Sequence, residues 1–259
     1  MTFELIIDIA KLALITASLY FALGAYVHRK QPAWSEFLEK RRFAVLLLLV
    51  LAVIAIKVGE DVVNKESGPV DELVLQFIHT SVPAALSGFF EAATLSGSAD
   101  VLFPLSVAVV VALLFSGRRF EALLLAISVI GSGIVVYILK AFIGRTRPAL
   151  WEAEWYWGSS FPSGHTLVVA AFAAATTVAV TRIWPGTRIF VMLIAAVWVS
   201  SVAISRLVLG AHWPTDVLAA ACIGAFLPLA VGIALELRHA SRPPRNADAG
   251  DKIAPGGSV

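Results

Sequence analysis

The chain has 259 residues, of which 59% are hydrophobic and only 15% charged, and its mean hydropathy is +0.85. A soluble domain carries about 25% charged residues, so this composition indicates a membrane protein. The net charge of +2 gives no reason to expect nucleic-acid binding. The single cysteine, Cys222, excludes an intramolecular disulfide and a cysteine metal cluster.

Seven apolar segments are long enough, or nearly so, to cross a bilayer, which takes roughly 20 residues. They cover residues 4–27, 42–58, 99–116, 120–140, 165–182, 187–207 and 215–237. The sequence therefore predicts an all-α fold, a polytopic bundle of transmembrane helices. The first segment begins acidic and stays apolar for the thickness of a bilayer, so we expect a spanning helix and no cleavable signal peptide there. Asp8 and Lys11 lie on one face of that helix, a pattern to which the sequence assigns no role.

Lysine and arginine residues orient the predicted helices. They concentrate in alternate connections, namely 28–41, 117–119, 182–188 and the C-terminal tail. Because these residues favour the cytoplasmic side, we expect the N-terminus outside and the C-terminus inside. Loop 141–164 breaks the pattern, since it carries Arg145 and Arg147 on the outer side. Cations with a function in that loop would account for the exception.

The long outer connection 59–98 has structure of its own. Asp71 and Glu72 open a stretch whose apolar residues recur at helical spacing. These are Leu73, Val74, Phe77 and Ile78. Acidic residues followed by such a stripe are typical of a short helix that lies in the membrane interface. An ordinary connecting helix is an equally good interpretation.

Three polar blocks interrupt the apolar chain at the outer ends of predicted helices. They are Lys140–Pro148 (KAFIGRTRP), Pro162–His165 (PSGH) and Ser205–Asp216 (SRLVLGAHWPTD). A charged side chain at the centre of a bilayer costs about 3 kcal/mol, so such groups are generally paired or functional. Cations, histidines and a carboxylate gathered on one membrane face favour chemistry on a phosphate.

The third block places a carboxylate beside an imidazole. His212 and Asp216 lie on neighbouring turns if a helix begins near Trp213, and Pro214 suits the first turn of that helix. A carboxylate fixes the tautomer of an imidazole and raises the nucleophilicity of its other nitrogen. Taken alone, such a pair is more readily explained by a structural role.

The second block predicts a turn that leads into a helix. Backbone amides at a helix N-terminus bind anions, so Ser163 and Gly164 are candidate phosphate ligands. His165, at the mouth of this turn, could protonate a leaving oxygen. A Ser-Gly turn that merely caps a helix is the alternative interpretation.

The remaining candidates are cations. Lys140 and Arg147 bracket the first block, and Arg206 closes the membrane helix before His212. Basic side chains at these places could clamp phosphate oxygens, with arginine suited to two-pronged contacts. Cations just outside a membrane can equally contact lipid headgroups.

Together, the spacings Lys-x6-Arg-Pro, Pro-Ser-Gly-His and Ser-Arg-x5-His-x3-Asp resemble the signature of the type 2 phosphatidic acid phosphatase superfamily, which also includes vanadium haloperoxidases. All three parts match in order and without substitution. The resemblance covers residues 42–237 and implies the six-helix phosphatase core of the integral-membrane branch. Residues 1–41 would then form one extra N-terminal transmembrane helix with its cytoplasmic loop, and residues 238–259 a cytoplasmic, disordered tail.

The resemblance implies a role for each matching residue. His212 would attack phosphorus, Asp216 would orient it, and His165 would protonate the leaving oxygen. The groups that would bind the phosphate are Lys140, Arg147, Ser163, Gly164 and Arg206. No metal and no other cofactor is expected, because the three signature cations already supply the electrostatic stabilisation. Arg145 does not belong to the signature, and we expect it to contact lipid headgroups.

The resulting hypothesis is a membrane lipid phosphatase that hydrolyses a lipid phosphomonoester or diphosphate through a phosphohistidine. Four lipid substrates fit this hypothesis: undecaprenyl diphosphate, phosphatidate, phosphatidylglycerol phosphate and lipid A phosphates. Undecaprenyl diphosphate is favoured because the chain looks like a compact bacterial member of the superfamily, and no residue of the sequence selects it. The expected partners are the lipid phosphate and the bilayer, and no nucleic acid. The alternatives are a lipid-linked phosphotransferase that uses the same site and a non-catalytic lipid transporter or scaffold.

We expect the protein in the bacterial inner membrane, with its active site on the extracytoplasmic face. Four aromatic residues between the first two blocks either form an interfacial belt or line a lipid entrance. They are Trp151, Trp155, Tyr156 and Trp157. The sequence carries no indication of an oligomeric state.

Overall fold

The computed structural model describes residues 2–150 and 158–240, and its α-helices follow one another through both ranges. They are α1 (Thr2–Lys30), α2 (Pro32–Lys40), α3 (Arg42–Val63), α4 (Gly68–Ser81), α5 (Ser87–Ser96), α6 (Ala99–Phe115), α7 (Arg119–Ile143), α8 (Gly164–Ile183), α9 (Arg188–Val208) and α10 (Pro214–Ala240). The predicted all-α fold is thereby confirmed. The aromatic residues Trp151, Trp155, Tyr156 and Trp157 lie outside the described residues. So does the predicted tail from 241 onward, whereas its first three residues continue α10.

Six of the described helices are long and apolar enough to cross a membrane: α1, α3, α7, α8, α9 and α10. Helix α6 is also apolar but has only 17 residues. Each of the seven predicted segments coincides with one of these seven helices, and the protein is an integral membrane protein. Helix α4 meets the segment Ala84–Ser96, which contains α5, at a bend of 93°.

Helix α4 occupies the place of the predicted interfacial helix. Leu73 and Phe77 on its apolar stripe are exposed, while Leu75 is buried against Leu207 and Val217. Helix α4 therefore presents apolar side chains outward and still packs on the end of the bundle.

Helix α3 continues to Val63, five residues past the predicted end of its segment. Lys57 stabilises this extra turn, because its Nζ atom lies 2.6 Å from Asp61 Oδ1 and 3.6 Å from Glu60 Oε2. Ion pairs at i, i+3 and i, i+4 support a helix whose residues are polar. A similar pair in α1 joins Lys11 Nζ to Asp8 Oδ1 at 3.1 Å, and both side chains are exposed.

Helix α8 lies inside the bundle and α1 lies at its edge. Half of the apolar, membrane-spanning stretch of α8 is buried inside the protein, against 6% of the corresponding stretch of α1. Small residues let the neighbouring helices approach α8 closely, as is common in membrane bundles. At the closest point, a methyl group on Gly224 of α10 would lie 2.4 Å from the Leu167 carbonyl oxygen and 2.7 Å from Ala170 Cβ.

An ion-pair cluster joins the helices at the end of the bundle away from the polar blocks. Arg182 of α8 pairs with Glu236 of α10 and, at 3.4 Å, with the buried Glu121 of α7. Its guanidinium also lies 4.0 Å from the ring centre of Phe120. Arg41, which follows α2, pairs with Glu236 at 2.8 Å. This cluster attaches the N-terminal helices to the rest of the bundle.

We predict that Gly224→Ala destabilises the protein, because the added methyl group would collide with a backbone oxygen of α8. Alanine favours an isolated helix over glycine by about 1 kcal/mol, but a backbone carbonyl cannot move aside as a side chain can. Thermal unfolding in detergent should show a lower midpoint for the variant than for the wild type.

Gly232→Ala is the matched control on the same helix. There the methyl group would lie 3.8 Å from Leu124 Cδ1, an ordinary contact. Its unfolding midpoint should equal or exceed that of the wild type. Equal midpoints for the two variants would contradict the close approach of α8 and α10.

Candidate active site

Two glycines end the helices that carry the first and third polar blocks. Gly144 follows α7 with φ of 61°, and Gly210 follows α9 with φ of 64°. Both values lie in the left-handed region, where glycine ends a helix without steric cost. After Gly210 the chain turns back, so that the amides of Ala211 and His212 donate to the Arg206 carbonyl at 3.1 and 3.3 Å. This turn fixes the backbone of His212 against the end of α9.

The predicted His–Asp pair forms at the start of α10. Helix α10 begins at Pro214, as the sequence predicts. Asp216 is fully buried and His212 is 2% exposed. His212 Nδ1 lies 3.5 Å from Asp216 Oδ2, which also accepts the Trp213 amide at 2.9 Å. The distance to Nδ1 exceeds a normal hydrogen bond, but the carboxylate determines which ring nitrogen faces it.

The opposite nitrogen of His212 faces a cation. Nη1 of Arg147 lies 3.5 Å from His212 Nε2 and donates to the Ala211 carbonyl at 2.8 Å. The imidazole is therefore held between a carboxylate and a guanidinium. This arrangement leaves Nε2 directed at the place where a phosphate bound by Arg147 would lie.

Burial lowers the pKa of His212 to about 4, and the nearby cations Arg206 and Arg147 act in the same direction. Asp216 opposes the shift, since a carboxylate favours the charged imidazolium. The imidazole is thus neutral at neutral pH. A neutral imidazole is the form that can act as a nucleophile.

Main-chain carbonyls hold the two cations of the first block. Lys140 Nζ donates to the Ser159 carbonyl at 2.9 Å, and Arg147 Nε donates to the Gly158 carbonyl at 3.2 Å. These acceptors are neutral, so a phosphate dianion would compete with them favourably for the same donors. The segment that precedes the PSGH block thereby positions both cations.

Arg206 is buried at the end of α9, with only 2% of its surface exposed. Its Nη1 atom donates to Thr94 Oγ1 at 2.6 Å. Thr94 belongs to α5, which the sequence does not single out. Helix α5 therefore contributes to the wall of the site.

The PSGH block packs against the start of α10. Ser163, fully buried, precedes α8, and its amide donates to the Asp216 carbonyl at 3.2 Å. Its hydroxyl lies 3.0 Å from Thr166 Oγ1. Gly164 and His165 are the first two residues of α8 and are partly buried. The second and third blocks therefore meet at one end of the bundle.

Arg145 differs from its expected role. The expectation that it contacts lipid headgroups was wrong, because its side chain is 13% exposed and forms two ion pairs. Nη2 lies 2.5 Å from Asp71 Oδ2, and Nη1 lies 2.6 Å from Asp216 Oδ1. The signal was present in the sequence: Arg145 breaks the charge pattern of the loops as clearly as Arg147 does.

Asp71 is the functional candidate that the sequence reasoning missed. It lies in the first turn of α4, where it was interpreted only as an acidic residue at a helix start. In the structure it is fully buried and binds the first turn of α10. Thr215 donates to it through the amide at 2.9 Å and through the hydroxyl at 2.7 Å.

The described residues include no group of three or more His, Cys, Asp or Glu side chains placed to hold a metal ion. The candidate site instead places Arg147 3.5 Å from His212 Nε2, and the nearby Arg206 also lowers the pKa of that imidazole. Such an arrangement favours an anion as ligand.

The fold and the site define a helical membrane protein with a buried His–Asp pair, a second histidine at a helix start and basic side chains at the same end. Residues 121–236 match the family model described as PAP2 superfamily. Over this segment, a little under half of the chain, the protein is similar to the PAP2 superfamily. The matched segment contains all three polar blocks.

Curated relatives carry names of lipid phosphatases. The chain is 38% identical over 95 residues to phosphatidylglycerophosphatase B of Escherichia coli, covering 36% of this chain and 35% of the relative. It is 33% identical over 116 residues to lipid A 1-phosphatase of Rhizobium johnstonii, covering 41% of this chain and 44% of the relative. The chain therefore matches less than half the length of each of these relatives.

A solved structure shares the fold. It is described as the first transmembrane PAP2 type phosphatidylglycerolphosphate phosphatase from Bacillus subtilis. The TM-score is 0.63 at 24% sequence identity, and the match covers 78% of this chain and 98% of that one. The likeness extends beyond the segment that the family model matches.

We predict that His212 stays neutral at about pH 5.5, where a histidine of ordinary pKa, about 6.5, is mostly protonated. Nitrogen NMR of histidine-labelled protein in detergent measures the protonation state of each imidazole. The resonance that is missing from the spectrum of His212→Ala is assigned to His212. The stability should fall as the pH drops from about 6.5 towards 4, because the unfolded chain takes up this proton first. A protonated His212 at pH 5.5 would contradict the buried, cation-flanked environment.

Proposed function

We propose that the protein is an integral-membrane lipid phosphatase that releases phosphate from a lipid phosphomonoester or diphosphate. The observation that carries this proposal is the position of His212, with Asp216 beside Nδ1 and the Arg147 guanidinium 3.5 Å from Nε2. A nucleophile next to a phosphate-binding cation is what attack on phosphorus requires. The names of the relatives support the same activity.

In the first step, the lone pair of His212 Nε2 attacks phosphorus and the bond from phosphorus to the lipid oxygen breaks. His165 gives its proton to that leaving oxygen. Negative charge on the remaining phosphate oxygens is stabilised by the signature cations, which are Lys140, Arg147 and Arg206. Asp216 stabilises the positive charge that develops on the imidazole ring.

In the second step, water attacks the phosphohistidine and the phosphorus–nitrogen bond breaks. His165, now deprotonated, takes the proton from the water. The electron pair returns to His212 Nε2 and inorganic phosphate leaves. Ser163 and the Gly164 amide hold the phosphate oxygens in both steps.

The substrate is proposed from the relatives, because the three polar blocks recognise only the phosphate. Their names mention phosphatidylglycerophosphate and lipid A, so these lipids come first in a substrate panel. Undecaprenyl diphosphate and phosphatidate follow. Release of inorganic phosphate from each lipid in detergent ranks them.

Two alternative functions predict different results in the same phosphate-release assay. A phosphotransferase would form the same phosphohistidine but release little phosphate until an acceptor hydroxyl is added. A transporter or scaffold would bind a lipid phosphate without turnover. The retention of several buried charges in the site argues for chemistry, since a binding surface could omit them at lower cost.

We also propose that the site faces the extracytoplasmic side of the bacterial inner membrane. Basic residues concentrate in the loops at the other end, which supports a cytoplasmic location for that end. The N-terminus would then lie outside and the C-terminus inside.

The two histidines should respond differently to the leaving group. His212→Ala should lower turnover at least about 10³-fold on every substrate, because attack on phosphorus is common to all. His165→Ala should lose far more activity on a lipid phosphomonoester than on p-nitrophenyl phosphate, whose phenolate leaves without a proton. Initial rates on both substrates measure this. Equal losses for both variants on both substrates would remove the assignment of acid and nucleophile.

Orientation is tested separately. A reporter fused after Val259 should be active only if it is of the kind that works in the cytoplasm. A cysteine that replaces Ala153, in a Cys222→Ala background, should react with a membrane-impermeant thiol reagent added to intact cells. The reverse pattern would place the site in the cytoplasm and remove outer-leaflet lipids from the panel.

A further inference from the structure

We propose that Arg145 and Asp71 are positioning residues for the catalytic pair. They hold Asp216 in the orientation that presents one oxygen to His212 and, together, they preserve its negative charge. This inference rests on the proposed function, in which His212 is the nucleophile. Neither residue belongs to the three-part signature.

The two oxygens of Asp216 have separate tasks. Oδ1 accepts from Arg145 Nη1 at 2.6 Å, whereas Oδ2 accepts the Trp213 amide and lies 3.5 Å from His212 Nδ1. Rotation of the carboxylate away from His212 would break the bond to Arg145. A buried carboxylate has no water to replace that partner, so the orientation is strongly preferred.

Arg145 is itself held from the other side. Nη2 donates to Asp71 Oδ2 at 2.5 Å and to Ser67 Oγ at 3.0 Å. Nη1 additionally donates to Thr215 Oγ1 at 2.8 Å. Both terminal nitrogens of the guanidinium are thus engaged by carboxylates and hydroxyls.

Asp71 makes the charge of the assembly suitable for catalysis. Arg145 alone beside Asp216 would offset the negative charge that stabilises a positively charged imidazole ring. With Asp71 on the other side, the two carboxylates and one guanidinium carry one net negative charge. His212 therefore faces the same net charge as it would beside an isolated Asp216, but with the carboxylate fixed in place.

The first test separates kcat from KM. Arg145→Gln should lower kcat about 10- to 100-fold, the range typical when a partner that orients a functional group is removed. KM should stay within about threefold of the wild type, because Arg145 does not contact the phosphate. Arg147→Gln, by contrast, should raise KM. An unchanged kcat for folded Arg145→Gln would overturn the proposal.

A double-mutant cycle with Asp216→Asn tests whether Arg145 works through Asp216. The double variant Arg145→Gln/Asp216→Asn should lose no more activity than Asp216→Asn alone, within about threefold. Losses that multiply would overturn the proposal, because they would mean that Arg145 acts independently. Arg145→Lys should recover part of kcat, since an ammonium keeps the charge but bonds the two carboxylates less well.

Arg182→Gln is the matched control for the loss of a partly buried, doubly paired arginine. Arg182 also pairs with two carboxylates, Glu121 and Glu236, at the other end of the bundle. This variant should lower the thermal midpoint and leave kcat unchanged.

A second variant covers the case in which Arg145→Gln fails to fold. Asp71→Asn/Arg145→Gln also removes the buried charge of Asp71, which Arg145→Gln leaves unpaired, and the same loss of kcat is expected of it. Wild-type kcat in this double variant would overturn the proposal.

A readout that needs no turnover separates this inference from the proposed function. Nitrogen NMR should show His212 with its proton on Nδ1 in the wild type and a mixture of tautomers in Arg145→Gln. A wild type that hydrolyses no lipid phosphate would contradict the function, and the tautomer comparison would still test the positioning role. An unchanged tautomer in the variant would overturn that role.

Discussion

The site depends on one buried interaction, the guanidinium of Arg145 between the carboxylates of Asp71 and Asp216. The partners of Arg145 are 74 and 71 residues away in the chain, on α4 and α10. Because water is excluded, removing one member of such a set costs about 3–5 kcal/mol. Helix α4, the loop after α7 and the start of α10 are therefore coupled. Two further contacts tie the site to this set: the Ser163 amide donates to the Asp216 carbonyl, and Arg147, in the loop after α7, donates to the Ala211 carbonyl beside His212.

Much of the fold could be predicted because its signals are local. Length and hydropathy identified the spanning helices, and Pro214 identified the start of α10. The role of Arg145 could not be predicted in this way, since a cation near a membrane surface contacts either a headgroup or a distant carboxylate. Only the fold reveals that Asp71 is that carboxylate. Thr94 is a similar case: a threonine in an apolar helix gives no signal until the helix lies beside Arg206. Hydropathy does not predict the last five residues of α3, because charged residues interrupt the apolar run there. Lys57 and Asp61 nevertheless form an ion pair along the helix and allow it to continue.

The segment recognised by the family model, residues 121–236, contains the signature but does not contain all that the site uses. Asp71 and Thr94 precede it, and they contact Arg145 and Arg206 respectively. The connection between α3 and α6 is thus more than a link between spanning helices. Its bend of 93° sends α4 towards the start of α10 and α5 towards the end of α9. The solved Bacillus subtilis structure matches 78% of this chain, so the likeness in fold extends further than the family model.

The contrast between α1 and α8 bears on how freely the sequence can vary. The two helices are almost equally apolar, yet 6% of the spanning stretch of α1 is buried inside the protein, against 50% of that of α8. Lipid tails accommodate an apolar side chain of any shape, so α1 can exchange leucine, valine and phenylalanine with little consequence. Helix α8 is confined by its neighbours, and there volume decides what is accepted. Substitution matrices that score residues by polarity alone would treat the two helices as equivalent, although α8 is the one whose side chains must fit against neighbouring helices.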